Sequence, residues 1–147
     1  MSEKRTTARA FHDSVGVEDW RVLFSGAHAY FRVGSFAEAA RFVAAIAEVA
    51  EAVGHFPDVD VRPEGVTIRT ASGEYGALSQ RDVELARRIS AEARTLGLEP
   101  DPSQVQVVGI AVAQDRFVRD SEKLREFVAR YRENGSPRPV IVAHDGP

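Results

Sequence analysis

A few acidic and basic side chains in this 147-residue sequence have the types and spacing that proton-transfer chemistry needs. Glu51, His55 and Asp58 lie close together in the chain, and Asp82 follows later. Imidazole titrates near neutrality and a carboxylate can orient it, so this set suits general acid–base catalysis. A histidine near the end of a helix is also favoured by the helix dipole alone. On spacing alone, the sequence favours this second, purely structural interpretation.

The helix that would position His55 is predicted to begin after Ser35 and to end at Gly54. Ser35 and Glu38 have the spacing of a capping box, and a glycine is a typical helix stop. Apolar residues recur at helical spacing and predict one buried face. The residues of that face are Phe36, Ala39, Val43, Ile46, Ala50 and Val53.

A second helix is predicted to begin at Ser79, and it would position Asp82. Its apolar face would contain Leu85, Ile89, Ala93 and Leu96, with Gly97 as the stop. Asp82 lies three residues after Ser79, so it has a structural alternative as the capping partner of that serine. Glutamate is the usual residue at that position, which leaves the aspartate without a full structural explanation.

The rest of the chain is predicted to form short elements around these two helices. Residues 1–14 are polar and without periodicity, which predicts a flexible N-terminal tail. Trp20 would anchor a short helix, as a core or interface plug. Turn residues between two β-branched runs predict a hairpin. The elements predicted in this way are a helix at 17–23, a strand at 27–33, a hairpin at 59–70 and a loop at 71–77.

Residues 101–147 are predicted to be a strand–helix–strand extension that follows a hinge-like break at residues 101–103. Its helix would carry Leu124, Phe127, Val128 and Tyr131 on one face. The extension faintly resembles half of a glyoxalase-type module but contains no convincing metal-ligand set. Residues 15–100 would form the main domain.

The composition excludes several classes of protein. The net charge is −3 and the basic residues form no cluster, so no nucleic-acid partner is expected. The chain contains no cysteine, which rules out disulfides and thiolate metal sites. No apolar run approaches the length of a membrane span, and the N-terminus lacks a signal-peptide core. We therefore expect a cytoplasmic protein.

Several separated motifs, in order, resemble the pterin-4a-carbinolamine dehydratase family. These motifs are Trp20, Phe36-x-x-Ala39-x-x-Phe42, Glu51-x-x-x-His55-Phe56-Pro57-Asp58 and Leu78-Ser79-x-Arg81-Asp82-Val83-x-Leu85-Ala86. The resemblance implies an α+β fold, with an antiparallel four-stranded sheet and helices on one face. It also implies a homodimer or homotetramer that dehydrates 4a-hydroxytetrahydropterin without metal or dissociable cofactor. Some relatives are also dimerisation partners of a transcription factor.

The sequence departs from the family's pattern at two of three site histidines. Phe56 occupies the position of the second one. The third falls on Gly73 when counted back from the aspartate, or on Ala71 when counted forward from the strand. One acid–base group is worth about 10²–10⁴ in rate, so two losses would remove much of the family's advantage.

Two hypotheses about function follow from these observations. The first is a divergent dehydratase-like enzyme that acts on a small cyclic substrate, either the pterin itself or a specialised metabolite. The second is a non-catalytic interaction module that kept the fold and lost the site. In the enzyme hypothesis the catalytic residues are His55, Asp82 and Glu51, and the substrate-binding residues are Phe56, Pro57, Asp58, Arg81 and Trp20.

Overall fold

The structure is a computed structural model that describes residues 4–105, and residues up to Val105 group into one compact unit. The strand–helix–strand predicted for the C-terminal extension lies outside the described residues. The strands are β1 (Arg5–Thr6), β2 (Arg21–Leu23), β3 (Gly26–Arg32), β4 (Asp58–Arg62), β5 (Gly65–Thr70), β6 (Leu78–Ser79) and β7 (Glu99–Pro100). The helices are α1 (Ala8–His12), α2 (Phe36–Val53) and α3 (Gln80–Thr95), with 3₁₀ turns at Glu74–Gly76 and Pro102–Gln104.

The main sheet is antiparallel, with strand order β2–β3–β5–β4. Strand β7 pairs with the far end of β3, on the edge that β2 leaves open. Strands β4 and β5 form the predicted hairpin, with Arg62 opposite Gly65. The α+β fold with an antiparallel four-stranded sheet is thereby confirmed, and β7 is a short addition to it.

Alternation along the two central strands places one face of the sheet in the core. Ala27, Ala29 and Phe31 of β3 are buried there, as are Val66 and Ile68 of β5. This alternation is typical of an antiparallel sheet that packs on one side only. Helices α2 and α3 pack against each other and contribute to the same apolar cluster.

Helix α2 begins and ends where the sequence predicts. The Ser35 hydroxyl accepts a hydrogen bond from the backbone of Glu38 at 3.1 Å, and Gly54 ends the helix with a left-handed φ of 70°. Its buried face differs from the predicted one, because Phe42 packs edge-on against Phe31 at 5.3 Å and Phe36 is 59% exposed. Helical spacing admitted two neighbouring stripes, and aromatic packing selects between them.

Two predictions for the N-terminal region are wrong. Residues 1–14 were expected to be a loose tail, but β1 pairs with β6 and the first turn of α1 is capped by Thr7. Phe11 of α1 is completely buried. A helix was expected at residues 17–23, where the structure has strand β2, paired with β3. The pairing of β1 with β6 was missed because its partner is distant in sequence. Strand β2 pairs with the neighbouring β3, so there the short helical spacing was outweighed by strand pairing.

Hydrogen bonds attach residues 101–103, where a hinge-like break was predicted, to strand β3. The backbone of Asp101 donates to the carbonyl of Tyr30 at 2.9 Å, and its carboxylate accepts from Arg32. The same carboxylate caps the 3₁₀ turn through the backbone of Ser103 at 3.2 Å. The predicted boundary after residue 100 therefore moves to Val105. Within residues 4–105, no helix combines the length and apolar character of a membrane span.

Candidate active site

His55 and Asp82 meet at one end of the sheet. The left-handed turn at Gly54 releases the chain from α2, and the His55 backbone still donates to the carbonyl of Ala50 at 3.2 Å. The imidazole Nε2 lies 2.8 Å from Asp82 Oδ1. The His55 side chain is 15% exposed, whereas the Asp82 side chain is completely buried. The acid–base pair proposed from the sequence is therefore present as a contact.

Asp82 also has the structural role that its spacing allowed. It occupies the third position of α3, and its Oδ2 accepts from the backbone of Ser79 at 2.8 Å. The Ser79 hydroxyl completes the capping box by accepting from the backbone of Asp82, and it also accepts from the backbone of Arg81 at 3.2 Å. The catalytic and the capping interpretations of Asp82 are compatible, because Oδ1 contacts His55 while Oδ2 caps the helix.

Hydroxyl groups that the sequence analysis did not identify complete the surroundings of Asp82. Thr70 Oγ1 donates to Oδ1 and Ser72 Oγ donates to Oδ2, both at 2.5 Å. Ser72 lies between Ala71 and Gly73, the two positions at which a family histidine was sought. The sequence feature that could have identified these donors is the group of hydroxyl residues Thr70, Ser72 and Ser79 around the loop that precedes α3.

The hydrogen bonds around Asp82 decide its charge. Burial raises the pKa of Asp82, but donors from Ser72, Thr70, His55 and the Ser79 backbone outweigh it and lower the pKa below its ordinary value. Asp82 is consequently a carboxylate at neutral pH. A buried anion with this many donors is well compensated, and no buried side-chain polar atom within residues 4–105 lacks a partner.

The charge of Asp82 fixes the tautomer of His55. An ionised carboxylate only accepts hydrogen bonds, so Nε2 must carry the proton in this contact. In the neutral imidazole, Nδ1 is then the unprotonated nitrogen. Within residues 4–105 no hydrogen bond to Nδ1 is found, and the His55 side chain is 15% exposed. The arrangement presents a general base with a buried carboxylate behind it.

The residues that follow His55 lie at the surface beside it. Phe56 is 63% exposed and Pro57 is partly buried. Asp58 begins β4 and forms an ion pair with Arg69 of β5 across the hairpin. Phe56 therefore offers an exposed apolar ring at the position of the family's second histidine, one residue after His55 in the chain.

The remaining predicted site residues are Glu51, Arg81 and Trp20. Glu51 is exposed on the last turn of α2, and Arg81 is exposed in the first turn of α3. Trp20 was predicted to bind substrate, but it is completely buried and its Nε1 donates to Ser90 Oγ at 3.0 Å. This assignment of Trp20 is corrected: the indole fills the core, as its apolar bulk favours.

A second imidazole lies on the other face of the sheet. His28 is opposite Arg69 in the register of β3 and β5, and its Nε2 lies 3.3 Å from Ser25 Oγ. Burial, and after it the Arg69 charge, lowers the pKa of His28 and favours the neutral form. No three histidine, aspartate or glutamate side chains of the described part of the chain gather as a metal site would require.

Known proteins are similar to part of this chain in sequence. Proteins named "Putative pterin-4-alpha-carbinolamine dehydratase" include one from Roseiflexus sp. (strain RS-1), 42% identical over 59 residues, which are 40% of this chain and 63% of the relative. Another, from Cyanothece sp. (strain PCC 7425 / ATCC 29141), is 36% identical over 76 residues, 52% of this chain and 78% of the relative. The chain thus spans somewhat under two thirds of the length of the first of these relatives.

A solved structure has the same fold. The crystal structure titled transcriptional coactivator/pterin dehydratase from Brucella melitensis matches with a TM-score of 0.53 and 23% identity. The match covers 60% of this chain and 97% of that one. A family model described as "Pterin 4 alpha carbinolamine dehydratase" matches residues 2–92, a span that contains the whole site around His55 and Asp82. The chain belongs to the pterin-4a-carbinolamine dehydratase family.

Proposed function

We propose that this chain is an enzyme that removes water from a carbinolamine on a small ring, with 4a-hydroxytetrahydropterin as the first substrate to test. The observation that carries the proposal is the 2.8 Å contact between His55 Nε2 and the buried Asp82 carboxylate. The contact leaves Nδ1 of a partly exposed imidazole free to exchange protons. The membership of the chain in this family supports the choice of substrate class.

The reaction moves one proton in each direction. The carbon–oxygen bond of the carbinolamine breaks, and the hydroxyl leaves as water after receiving a proton. The adjacent ring nitrogen loses its proton as the carbon–nitrogen double bond forms. A single imidazole can perform both transfers in sequence, because Nδ1 can take the proton from the ring nitrogen and then give it to the departing hydroxyl. His55 is the acid–base group, and Asp82 stabilises the imidazolium that forms in between.

The exposed ring of Phe56 favours a substrate that has a flat, weakly polar face. Its exposed ring lies directly after His55 in the chain and can stack on a heterocycle, whereas it cannot donate a hydrogen bond. A modified heterocycle from specialised metabolism therefore fits the proposal as well as the pterin does.

The test is a direct assay of dehydration. Purified protein is added to freshly generated 4a-hydroxytetrahydropterin, and formation of the quinonoid dihydropterin is followed against buffer. We expect acceleration by the wild-type protein. We expect His55→Ala to lose about 10²–10⁴-fold in kcat, since that is the usual worth of one acid–base group. The exposed His12→Ala is the matched control and should retain the wild-type rate.

Two outcomes would contradict the proposal. A wild-type rate equal to that of buffer, with the pterin and with related carbinolamines, would remove the enzymatic function. Equal rates for wild type and His55→Ala would show that another group does the chemistry. In the first case the non-catalytic interaction module is favoured, and its own test is whether changes on an exposed helix face abolish a biological activity that His55→Ala leaves intact.

A further inference from the structure

Ser72 occupies a distinctive place among the donors to Asp82. Thr70 and Ser79 lie at the ends of β5 and β6 and are almost completely buried. Ser72 belongs to the loop between these strands, and the residue is exposed. Its hydroxyl lies 2.5 Å from Asp82 Oδ2 and 3.4 Å from His55 Nε2. It is the one loop side chain within the described residues that contacts both members of the acid–base pair.

Counting hydrogens gives the direction of the network. A serine hydroxyl has one proton, and the short contact assigns the proton of Ser72 to Asp82. Towards Ser79 Oγ, at 2.7 Å, Ser72 then accepts, and the one proton of Ser79 serves this short contact in preference to its longer one, at 3.3 Å, with Asp82 Oδ2. Ser79 in turn accepts from the backbone of Arg81 at 3.2 Å. The result is one oriented chain from the N-terminus of α3 through Ser79 and Ser72 to the carboxylate.

An oriented chain of this kind strengthens each of its hydrogen bonds, because every donor is polarised by the one behind it. It also restricts His55. With its Oδ2 occupied by Ser72 and Ser79, Asp82 presents Oδ1 to the imidazole, where Thr70 donates as well. The loop hydroxyl is therefore one of the donors that set which carboxylate oxygen faces the imidazole.

We propose that Ser72 is a positioning residue, which orients the Asp82 carboxylate and through it holds His55 in the tautomer with Nδ1 free. It lies between the two positions at which the family's third histidine was sought, and it does not replace that histidine, because an alcohol hydroxyl does not ionise near neutral pH and so is no general acid or base there. The proposal rests on the proposed function only for its kinetic consequence. The geometric consequence can be measured in the absence of any substrate.

The closing experiment compares Ser72→Ala with Ser72→Thr, which retains a hydroxyl, and with Ser14→Ala. Ser14 is the control because its hydroxyl also makes a local hydrogen bond, to the carbonyl of Ala10 at 2.8 Å, away from the site. Nitrogen-15 spectra of His55 report the tautomer, and carbon-13 spectra of the Asp82 carboxyl report its titration. His55 is the titratable side chain in hydrogen-bond contact with Asp82, so both signals report on one pair.

We expect Ser72→Ala to raise the pKa of Asp82, because that pKa is held low partly by the lost donor, and to mix the tautomers of His55. Ser72→Thr and Ser14→Ala should give wild-type spectra. In the dehydration assay, kcat should fall about tenfold in Ser72→Ala, with KM within about twofold, as is typical when positioning alone is lost.

Unchanged His55 and Asp82 spectra in Ser72→Ala would overturn the inference, whatever the rate. Loss of the rate in Ser72→Thr together with a normal tautomer would also overturn it, because bulk and not the hydroxyl would then matter. A wild-type protein without dehydratase activity would contradict the proposed function alone. The spectra would still decide the role of Ser72 in that case.

Discussion

At the scale of single residues, Asp82 determines what the other groups can do. It is completely buried, it caps α3, and it contacts the imidazole of His55. A group with two such roles should affect stability and catalysis together when it is changed. Its lowered pKa also makes both effects depend on pH in a defined direction.

Asp82→Asn should destabilise the fold by about 1–3 kcal/mol at neutral pH, because the amide places an NH₂ group against donors that need an acceptor. The folded-state pKa of Asp82 lies below its unfolded value, so the ionised side chain stabilises the fold above that unfolded value, about 4. This stabilisation is lost as pH falls through the folded-state pKa. Urea unfolding at pH 7 and pH 3 should therefore show a smaller difference between variant and wild type at the lower pH.

Glu48→Gln is the control for this change, because Glu48 is exposed on α2 and has no assigned role. It should leave the free energy of unfolding unchanged at both pH values. Equal losses for Asp82→Asn at pH 7 and pH 3 would contradict the argument from linkage.

Trp20→Phe should separate packing from substrate binding. The phenyl ring retains most of the buried bulk but leaves the Ser90 hydroxyl without its donor. We expect a loss of about 1–3 kcal/mol in the free energy of unfolding, with KM unchanged. Urea denaturation and steady-state kinetics are the measurements. A raised KM at wild-type stability would restore the substrate-binding role that the sequence suggested for Trp20.

At the scale of elements, local signals predicted the two long helices and the hairpin. Ser35, Gly54 and Ser79 mark helix ends by chemistry that acts within a few residues, and the structure has those ends. The loop that carries Ser72 has no periodicity, so its contact with Asp82 follows from packing between distant elements. The pairing of β1 with β6 was missed for the same reason.

Close backbone contact with a neighbouring turn holds the loop of residues 71–77 in place. Gly76 has φ of 70°, and a Cβ there would lie 2.4 Å from the backbone nitrogen of Gly26 and from the carbonyl of Phe24. The loop is closed by a hydrogen bond from the Ser72 backbone to Ala77 at 2.8 Å. Displacement at Gly76 should therefore reach the Ser72 hydroxyl.

Gly76→Ala should lower kcat about tenfold, by moving Ser72 away from Asp82. Gly97→Ala is the matched control, because Gly97 has the same φ of 70° but a Cβ there would have nothing within 4 Å. Both variants carry a similar backbone strain of about 1 kcal/mol, and only the first has the steric conflict. Equal rates in the two variants would show that the loop does not position the site.

At the scale of the whole molecule, every recorded contact of the candidate site lies within one compact unit. The family match ends at residue 92, and the unit extends to Val105, where Asp101 is tied to Tyr30 and Arg32. Self-association and a cytoplasmic location stay predictions from the resemblance and from the composition. Whether this unit folds and catalyses dehydration without residues 106–147 can be tested by truncation.

A chain that ends at Val105 should fold and should keep its dehydratase rate within about twofold of the full-length protein. The physical reason is that the core cluster, the main sheet and the hydrogen-bond donors that surround Asp82 are built by residues 4–105. Circular dichroism melting and the dehydration assay are the measurements, at several protein concentrations so that association is detected. A chain that ends at Pro100 is the informative comparison, because it lacks the Asp101 contacts with β3 and should melt lower. If the chain ending at Val105 melts cooperatively but is inactive, residues 106–147 contribute to catalysis, and a site confined to the first unit is incomplete.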